Sequence, residues 1–368
     1  SGIFKTQLYK SYQDLEIFSS IKIIFLINPF LWFRIRKDVV VMQEFMKDVT
    51  IHIVPLQLIP ERYMRLGIFF TKFGNLWNLF IFRLLKIIGF LTSDIIVARS
   101  YYAGYVLSKL KLSNSFRVFD PRSIYPLERY SHGYLKSLRV YDFWLSWEGN
   151  FINRFDSVIS VSRGMTEYYK KFNSKVAEIF LNSGIKVRSV SIRPVISKNL
   201  HLVYWGSLVY KSHNNSWMHY KRRLKELESI VNIPIEVDFF VPYIDIRIKD
   251  IKYCGKIKVN FFQGLKSMDI TKYHASIYFI PESLDTFSRL GIKTVEYLSQ
   301  NLPIIFDKGM SNFVIQLLIK NNAGFNINDF KFESLNFIGN NPLRVYQENF
   351  TSDISNRNLK KLYESFSS

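Results

Sequence analysis

Residues 288–306 read SRLGIKTVEYLSQNLPIIF. They contain a glycine, a short amphipathic helix carrying Lys293 and Glu296, a breaker, and then a run apolar enough for a buried strand. Helix feeding strand in this way is half of a parallel-sheet unit. Glu296 stands too far into the helix, counted from Gly291, to be a simple cap, so the surrounding chain has to explain it.

Along the chain, short β-rich apolar runs alternate with longer helical patterns. The first half gives strands at 21–27, 49–56, 93–100, 115–120 and 156–162, with helical stretches at 72–90 and 102–112. Ser162 is placed to cap the helix RGMTEYYKKF, and AEIFLNSG (177–184) reads as a last strand. A polar link over roughly 184–199 contains Pro194. A second series follows, with strands at 200–208, 234–241, 258–264, 275–282 and 303–309, and a charged helix WMHYKRRLKELESIV after the first of them. The expected fold is α/β, with two Rossmann-like domains whose parallel sheets face a central cleft. Residues 1–185 form the first domain, 186–350 the second, and 351–368 a helical tail that can return to the first.

Composition narrows the class. At 48% hydrophobic and 17% aromatic, 368 residues are ample for two packed cores. Fifty Lys and Arg against 30 Asp and Glu leave a net charge of +20. That excess reads either as a solvated basic surface or as affinity for an anionic membrane, a phosphate-bearing substrate or nucleic acid. The single Cys254 excludes an internal disulfide framework and a clustered cysteine zinc site. No secretory signal opens the chain, and the longest apolar runs are short or interrupted by Arg83 and Lys86. The expectation is a cytoplasmic protein, soluble or peripheral at the inner face of the plasma membrane.

Ligands of open α/β sheets bind outside the carboxyl ends of strands. Three segments of the second domain should reach one such rim: GSLVYK, GLKSMD and SRLGIKTVE. Gly206 and Ser207 end a strand and allow close backbone approach, with Lys211 able to reach back over it. Gly291 opens a helix whose free N–H groups form an anion site, and Lys293, early in that helix, adds a cation, so that the rim suits a diphosphate. Glu296 is then suited to accept from the two hydroxyls of a ribose. The plainer reading of 288–296 alone is a glycine before a helix and a Lys–Glu pair on a surface.

The order LVYWGSL…K, VNFFQGL, YHASIYFIPES and GIKTVEYLSQNLPII resembles the donor-binding domain of GT-B glycosyltransferases, most of all the retaining family four. FDSVISVSRGMTEYY is similar to the last strand and helix of that family's acceptor domain, and VFDPRSIYPLE to its Asp-x-Arg segment. The resemblance spans about residues 90–325. It implies that Glu296 holds the donor ribose and that the amides of Gly291 and Ile292 hold the diphosphate. Of the family's two carboxylates only Glu296 is present, because Ser288 stands in place of the first; Arg289 replaces a glycine and is expected to add a phosphate contact. Ser207 and Lys211 occupy the places of a basic pair, and Leu265 falls where the loop meets the nucleobase. In the first domain Arg122 and His132 are the catalytic candidates.

The implied reaction moves a sugar from a UDP- or GDP-sugar to a glycan or lipid-linked acceptor hydroxyl, with retention and without a metal or other cofactor. The Lys-, Ile-, Phe- and Asn-rich composition suggests an AT-rich bacterial genome, where such enzymes build capsule, O-antigen or other surface glycans. No Asp-x-Asp occurs, and His52, His132, His201, His213, His219 and His274 show no metal-ligand spacing. Neither a dinucleotide fingerprint after the first strand of either domain nor a P-loop is present. INPFLWFRIRK (27–37) takes the place of a Gly-rich loop, and 62–86 interleaves cations with Phe, Trp and Leu in the manner of an interfacial helix or of a core helix with snorkelling cations. The alternatives are a nucleotide-sugar epimerase of the same fold, a non-catalytic GT-B protein, and a basic nucleic-acid-binding protein, the last disfavoured because no recognised module appears.

Overall fold

The computed structural model describes residues 21–26, 49–54, 93–99, 101–109, 115–133, 138–179, 198–211, 216–265 and 268–364, with isolated positions at 83, 194 and 196. The loop expected at 27–37 lies outside the described residues, as do the helix expected at 72–90 and the 62–86 segment apart from Arg83. The chain divides into two compact units, Ser1–Phe180 with Ser355–Ser368, and Leu181–Ile354.

In the first unit, strands β1 (Ile21–Leu26) and β2 (Val49–Val54) pair in parallel. A second parallel sheet runs β3 (Ile95–Arg99), β4 (Phe116–Asp120), β5 (Ser157–Ser160), β6 (Val176–Glu178) in that spatial order. Helices α1 (Tyr101–Lys109), α2 (Tyr125–Ser131), α3 (Leu138–Ile152) and α4 (Arg163–Tyr169) connect the strands. Phe119 of β4 centres the core, with Tyr101, Phe151, Phe155 and Tyr169 ringed around it at centroid distances of 5.2 to 6.3 Å. Ser162 caps α4, its Oγ accepting from the Met165 N–H at 3.2 Å.

The second unit holds a seven-stranded sheet. Its members are β7 (Leu200–Trp205), β8 (Ile235–Val241), β9 (Tyr253–Cys254), β10 (Ile257–Gln263), β11 (Ala275–Tyr278), β12 (Ile304–Phe306) and β13 (Gly324–Asn326), in the order β13-β12-β11-β7-β8-β10-β9. All pairs are parallel except the β9–β10 edge. Counting the six parallel strands in chain order gives 3-2-1-4-5-6, the doubly wound arrangement, so the order reverses between β7 and β11. β7, β11 and β12 are buried along most or all of their length, as strands covered on both faces must be. Helices α5 (Trp217–Ile230), α6 (Ile292–Ser299), α7 (Asn312–Lys320) and α8 (Asn341–Asn349) complete this unit.

The two short edge strands, β9 and β13, are absent from the sequence reading: two and three residues leave no period to detect. The last helix, α9 (Ser352–Glu364), lays Leu359 and Tyr363 on Val118, Ile159 and Ile179 of the first unit, and Asn358 Nδ2 donates to the Glu178 carbonyl at 3.2 Å.

Candidate functional site

At the switch point of the larger sheet two glycines remove side chains where elements must approach. Gly206, directly after β7, has φ +144°, and a Cβ there would lie 2.8 Å from Lys293 Cε and 2.9 Å from the Tyr204 hydroxyl oxygen. Gly291, which precedes α6, has φ +69°, and a Cβ there would lie 2.8 Å from the Tyr278 hydroxyl at the end of β11. The N-terminus of α6 therefore sits against the ends of β7 and β11. Its first N–H groups have no carbonyl one turn earlier to bond, and the helix dipole adds partial positive charge. Tyr204 Oη donates to the Ser207 carbonyl at 2.7 Å and sets the turn that follows β7.

Glu296 projects into this junction from α6. Its Oε2 accepts from Trp205 Nε1 at 2.9 Å and from Lys293 Nζ at 2.7 Å. Next to it on the helix, Tyr297 packs its ring edge-on against the Trp205 indole at 4.2 Å, and the Trp205 N–H donates to Tyr297 Oη at 3.3 Å. Lys293, expected at a diphosphate, thus has its ammonium on Glu296.

Arg289, expected at a phosphate, faces its own loop. The guanidinium donates to Asp285 from Nε at 3.1 Å and from Nη2 at 3.0 Å, to the Pro281 carbonyl at 3.0 Å and to Ser283 Oγ at 2.5 Å. Burial alone raises the Asp285 carboxyl, but the adjacent guanidinium and the Ser283 hydroxyl outweigh it and hold the group below the ordinary range. Ser288 is buried with its Oγ donating to the Asp285 carbonyl at 2.8 Å. The loop between β11 and α6 is thus a clamp around one aspartate.

Ser207 and Lys211 are exposed past the end of β7. The Tyr210 N–H, one residue before Lys211, donates to Asp245 Oδ2 at 3.0 Å. Asp245 is gripped by Arg247 through Nε at 2.9 Å and Nη2 at 2.6 Å, and those hydrogen bonds hold its carboxyl well below the ordinary range. Arg247 also lies over the Tyr210 ring at 5.0 Å. This knot ties the Lys211 segment to the loop after β8. Leu265 is exposed beyond β10, two strands from β7, and follows Gly264 at φ +75°.

The other candidates are distributed elsewhere. Arg122, in the first unit, pairs through Nη2 with Asp120 Oδ2 at 2.8 Å, and Asp120 is fully buried at the end of β4. His132 ends α2, its backbone N–H bonded to the Glu128 carbonyl at 3.0 Å. His219 Nε2 lies 2.7 Å from Asp307 Oδ2, while Asp307 Oδ1 accepts from the Ile280 N–H at 2.9 Å, so this pair joins α5 to the ends of β11 and β12. Among the described residues no three His, Cys, Asp or Glu side chains are grouped to hold a metal, and no helix is long and apolar enough to cross a membrane.

The sequence reading missed a second polar centre in the first unit. Glu148 of α3 is wholly buried and accepts from the hydroxyls of Tyr101 and Tyr168. Tyr101 Oη is 2.7 Å from Tyr169 Oη, and Tyr169 Oη donates to the Ser123 carbonyl at 3.2 Å, beside Arg122. Burial pushes the Glu148 carboxyl up to about 7, against the opposing hydrogen bonds of Tyr101 and Tyr168. The available signal was an acid, Glu148, flanked by Trp147 and near Trp144 and Phe151 in the aromatic helix LRVYDFWLSWEGNFI.

No family model matches the chain, and no curated protein matches it significantly. Solved structures do. The N-terminal domain of the Candida albicans trehalose-6-phosphate phosphatase aligns over 98% of this chain and 93% of its own, at 10% identity and a TM-score of 0.60. A glycosyltransferase from Rickettsia africae aligns over 95% and 100%, at 12% identity and 0.56. Sucrose-phosphate synthase from Thermosynechococcus elongatus aligns over 74% of each chain, at 12% identity and 0.52. The fold is GT-B. Several longer neighbours are spanned over only 55% to 59% of their length. Two Rossmann-like α/β units are thus established as expected, and in this GT-B chain the junction of Gly206, Gly291 and Glu296 lies at the switch point of the second unit's sheet.

Proposed function

We propose that this chain transfers a sugar from a nucleoside diphosphate-sugar to an acceptor hydroxyl, with the donor held at the strand ends of the second unit. The observation that carries the reading is the meeting of Gly206, Gly291 and Glu296 where the strand order reverses. A diphosphate fits a helix N-terminus flanked by residues without side chains. The amides of Gly291 and Ile292 bind it, with Ser207 and Lys211 from the exposed turn. Glu296 takes the ribose hydroxyls, and Leu265 flanks the base. The acceptor hydroxyl attacks the anomeric carbon, the bond from that carbon to the β-phosphate oxygen breaks with its electron pair leaving on that oxygen, and the hydroxyl proton passes to the departing diphosphate. The helix terminus and Lys211 stabilise the charge that develops on the departing diphosphate.

The neighbours named as a glycosyltransferase and a sucrose-phosphate synthase support this reaction class. The finer reading rests on the order of motifs and on the charge. It is a retaining, metal-independent transfer from a UDP- or GDP-sugar to a glycan or lipid-linked acceptor in bacterial surface polysaccharide assembly. The setting is cytoplasmic, at an anionic membrane face that the net charge of +20 suits. Residues 1–185 serve the acceptor, through Arg122 and His132, and residues 186–350 the donor.

The test is 31P NMR of UDP-glucose, UDP-N-acetylglucosamine and GDP-mannose incubated with the protein, where slow hydrolysis substitutes for an unknown acceptor. Release of nucleoside diphosphate from one donor, about a hundredfold slower in Lys211→Ala, is the expected result. No turnover of any donor, or equal rates in the variant, would count against the reading.

A further inference from the structure

Glu296 has two carboxylate oxygens, and the structure treats them differently. Oε2 carries both the Trp205 indole N–H and the Lys293 ammonium, whereas Oε1 accepts no hydrogen bond among the described residues. The carboxylate is only 12% exposed. Its indole partner is 1% exposed, anchored in β7 by its backbone N–H to Tyr297 and by ring contact with the same residue. A buried tryptophan needs a partner for its N–H. Apolar neighbours and a main-chain carbonyl would serve that need, yet this one reaches across 91 positions of sequence to a carboxylate at the candidate donor site.

Gly206 completes the arrangement. With no side chain there, the Lys293 stem lies over the strand end, 2.8 Å from where a Cβ would be. The lysine is then directed back onto Glu296, at the same oxygen that the indole holds. Two donors on one oxygen fix the rotation of the carboxylate, so the remaining oxygen presents a single direction.

We propose that Trp205 is a positioning residue that, with Lys293, locks Glu296 Oε2 and thereby aims Oε1 at the vicinal hydroxyls of a ribonucleotide. This rests on the donor reading above. Selection for ribose over deoxyribose then runs through an indole that does not touch the sugar. Loss of the N–H frees the carboxylate to rotate and costs the ribose contact, while binding through base and diphosphate continues.

Titration calorimetry with UDP, GDP and their 2′-deoxy counterparts tests this on wild type, on Trp205→Phe, and on protein carrying 3-benzothienylalanine at position 205. The last keeps both rings and exchanges the N–H for sulfur, so it decides the matter if the phenylalanine variant fails to fold. Wild type is expected to favour one ribonucleotide over its deoxy form by about tenfold, the worth of one hydrogen bond to a charged group. In both variants that preference collapses towards unity, through weaker ribonucleotide binding and with the deoxy affinity retained. If wild type discriminates and the folded variants discriminate equally, Trp205 is core packing alone and this inference falls while the donor reading stands. If wild type binds none of the four, or binds both sugars alike, the ribose role of Glu296 fails and takes this inference with it.

Discussion

Glu148 shows what a single buried acid does to this molecule. It is 0% exposed and accepts from the hydroxyls of Tyr101 and Tyr168, with no cation among its hydrogen-bond partners in the described residues. Its folded pKa of about 7 lies above the ordinary 4.5, so folding takes up a proton between those values. The stability it contributes is therefore complete below the unfolded pKa and is lost as pH rises through 7. Glu148→Gln removes the titration. Urea unfolding of wild type and variant should show wild type losing about 2 kcal/mol relative to the variant between pH 5 and pH 8. A gap independent of pH would mean that the carboxyl is ionised throughout. Trp205 teaches a different lesson at the same scale. In LHLVYWGSL an aromatic residue reads as core, which it is, and nothing local reveals that its N–H meets a carboxylate 91 positions later. Arg289 and Ser288 were read by their places in a motif, but Asp285 three and four residues earlier takes both, and a loop has no period from which to foresee that.

Among the elements, α6 depends on how it begins. Gly291 stands at φ +69°, a backbone region that costs an L-residue on the order of 1 kcal/mol, and its missing Cβ leaves space for the Tyr278 hydroxyl. Gly291→Ala should lower the melting temperature by several degrees and displace the helix start from β11. The same variant should weaken UDP or GDP binding more than tenfold, because the proposed anion site is that helix start. Unchanged binding in a destabilised variant would separate the helix terminus from the ligand. The position of α6 was legible: a glycine, an amphipathic octet and a strand leave few choices once the sheet is parallel. The tie from Tyr210, beside Lys211, to Asp245 was not, because Asp245 and Arg247 belong to an irregular loop after β8 that carries no period.

At the scale of the whole molecule, the alternation of strands and helices was enough to read the α/β class and the two Rossmann-like units, because strands covered on both faces must be apolar throughout. Spatial order was less accessible. That β11 returns to lie beside β7, creating the switch point, follows from pairing between distant segments. The docking of α9 belongs to this scale too: Leu359 packs with Val118, Ile159 and Ile179 of a unit that precedes it by some 180 residues. Leu359→Ala should cost about 2 to 4 kcal/mol in denaturant unfolding, and leave nucleotide affinity unchanged because the proposed donor site lies in the other unit. A neutral variant would show that α9 is dispensable to that core.

The proposed function requires the second unit's strand ends to bind a nucleoside diphosphate through Glu296. Its most direct test is a thermal-shift panel of UDP, GDP, ADP and CMP on wild type and Glu296→Ala, each with and without EDTA. The expected result is a concentration-dependent rise in melting temperature with UDP or GDP, unaffected by EDTA and lost in the variant. No rise with any nucleotide, or an equal rise in Glu296→Ala, would contradict it.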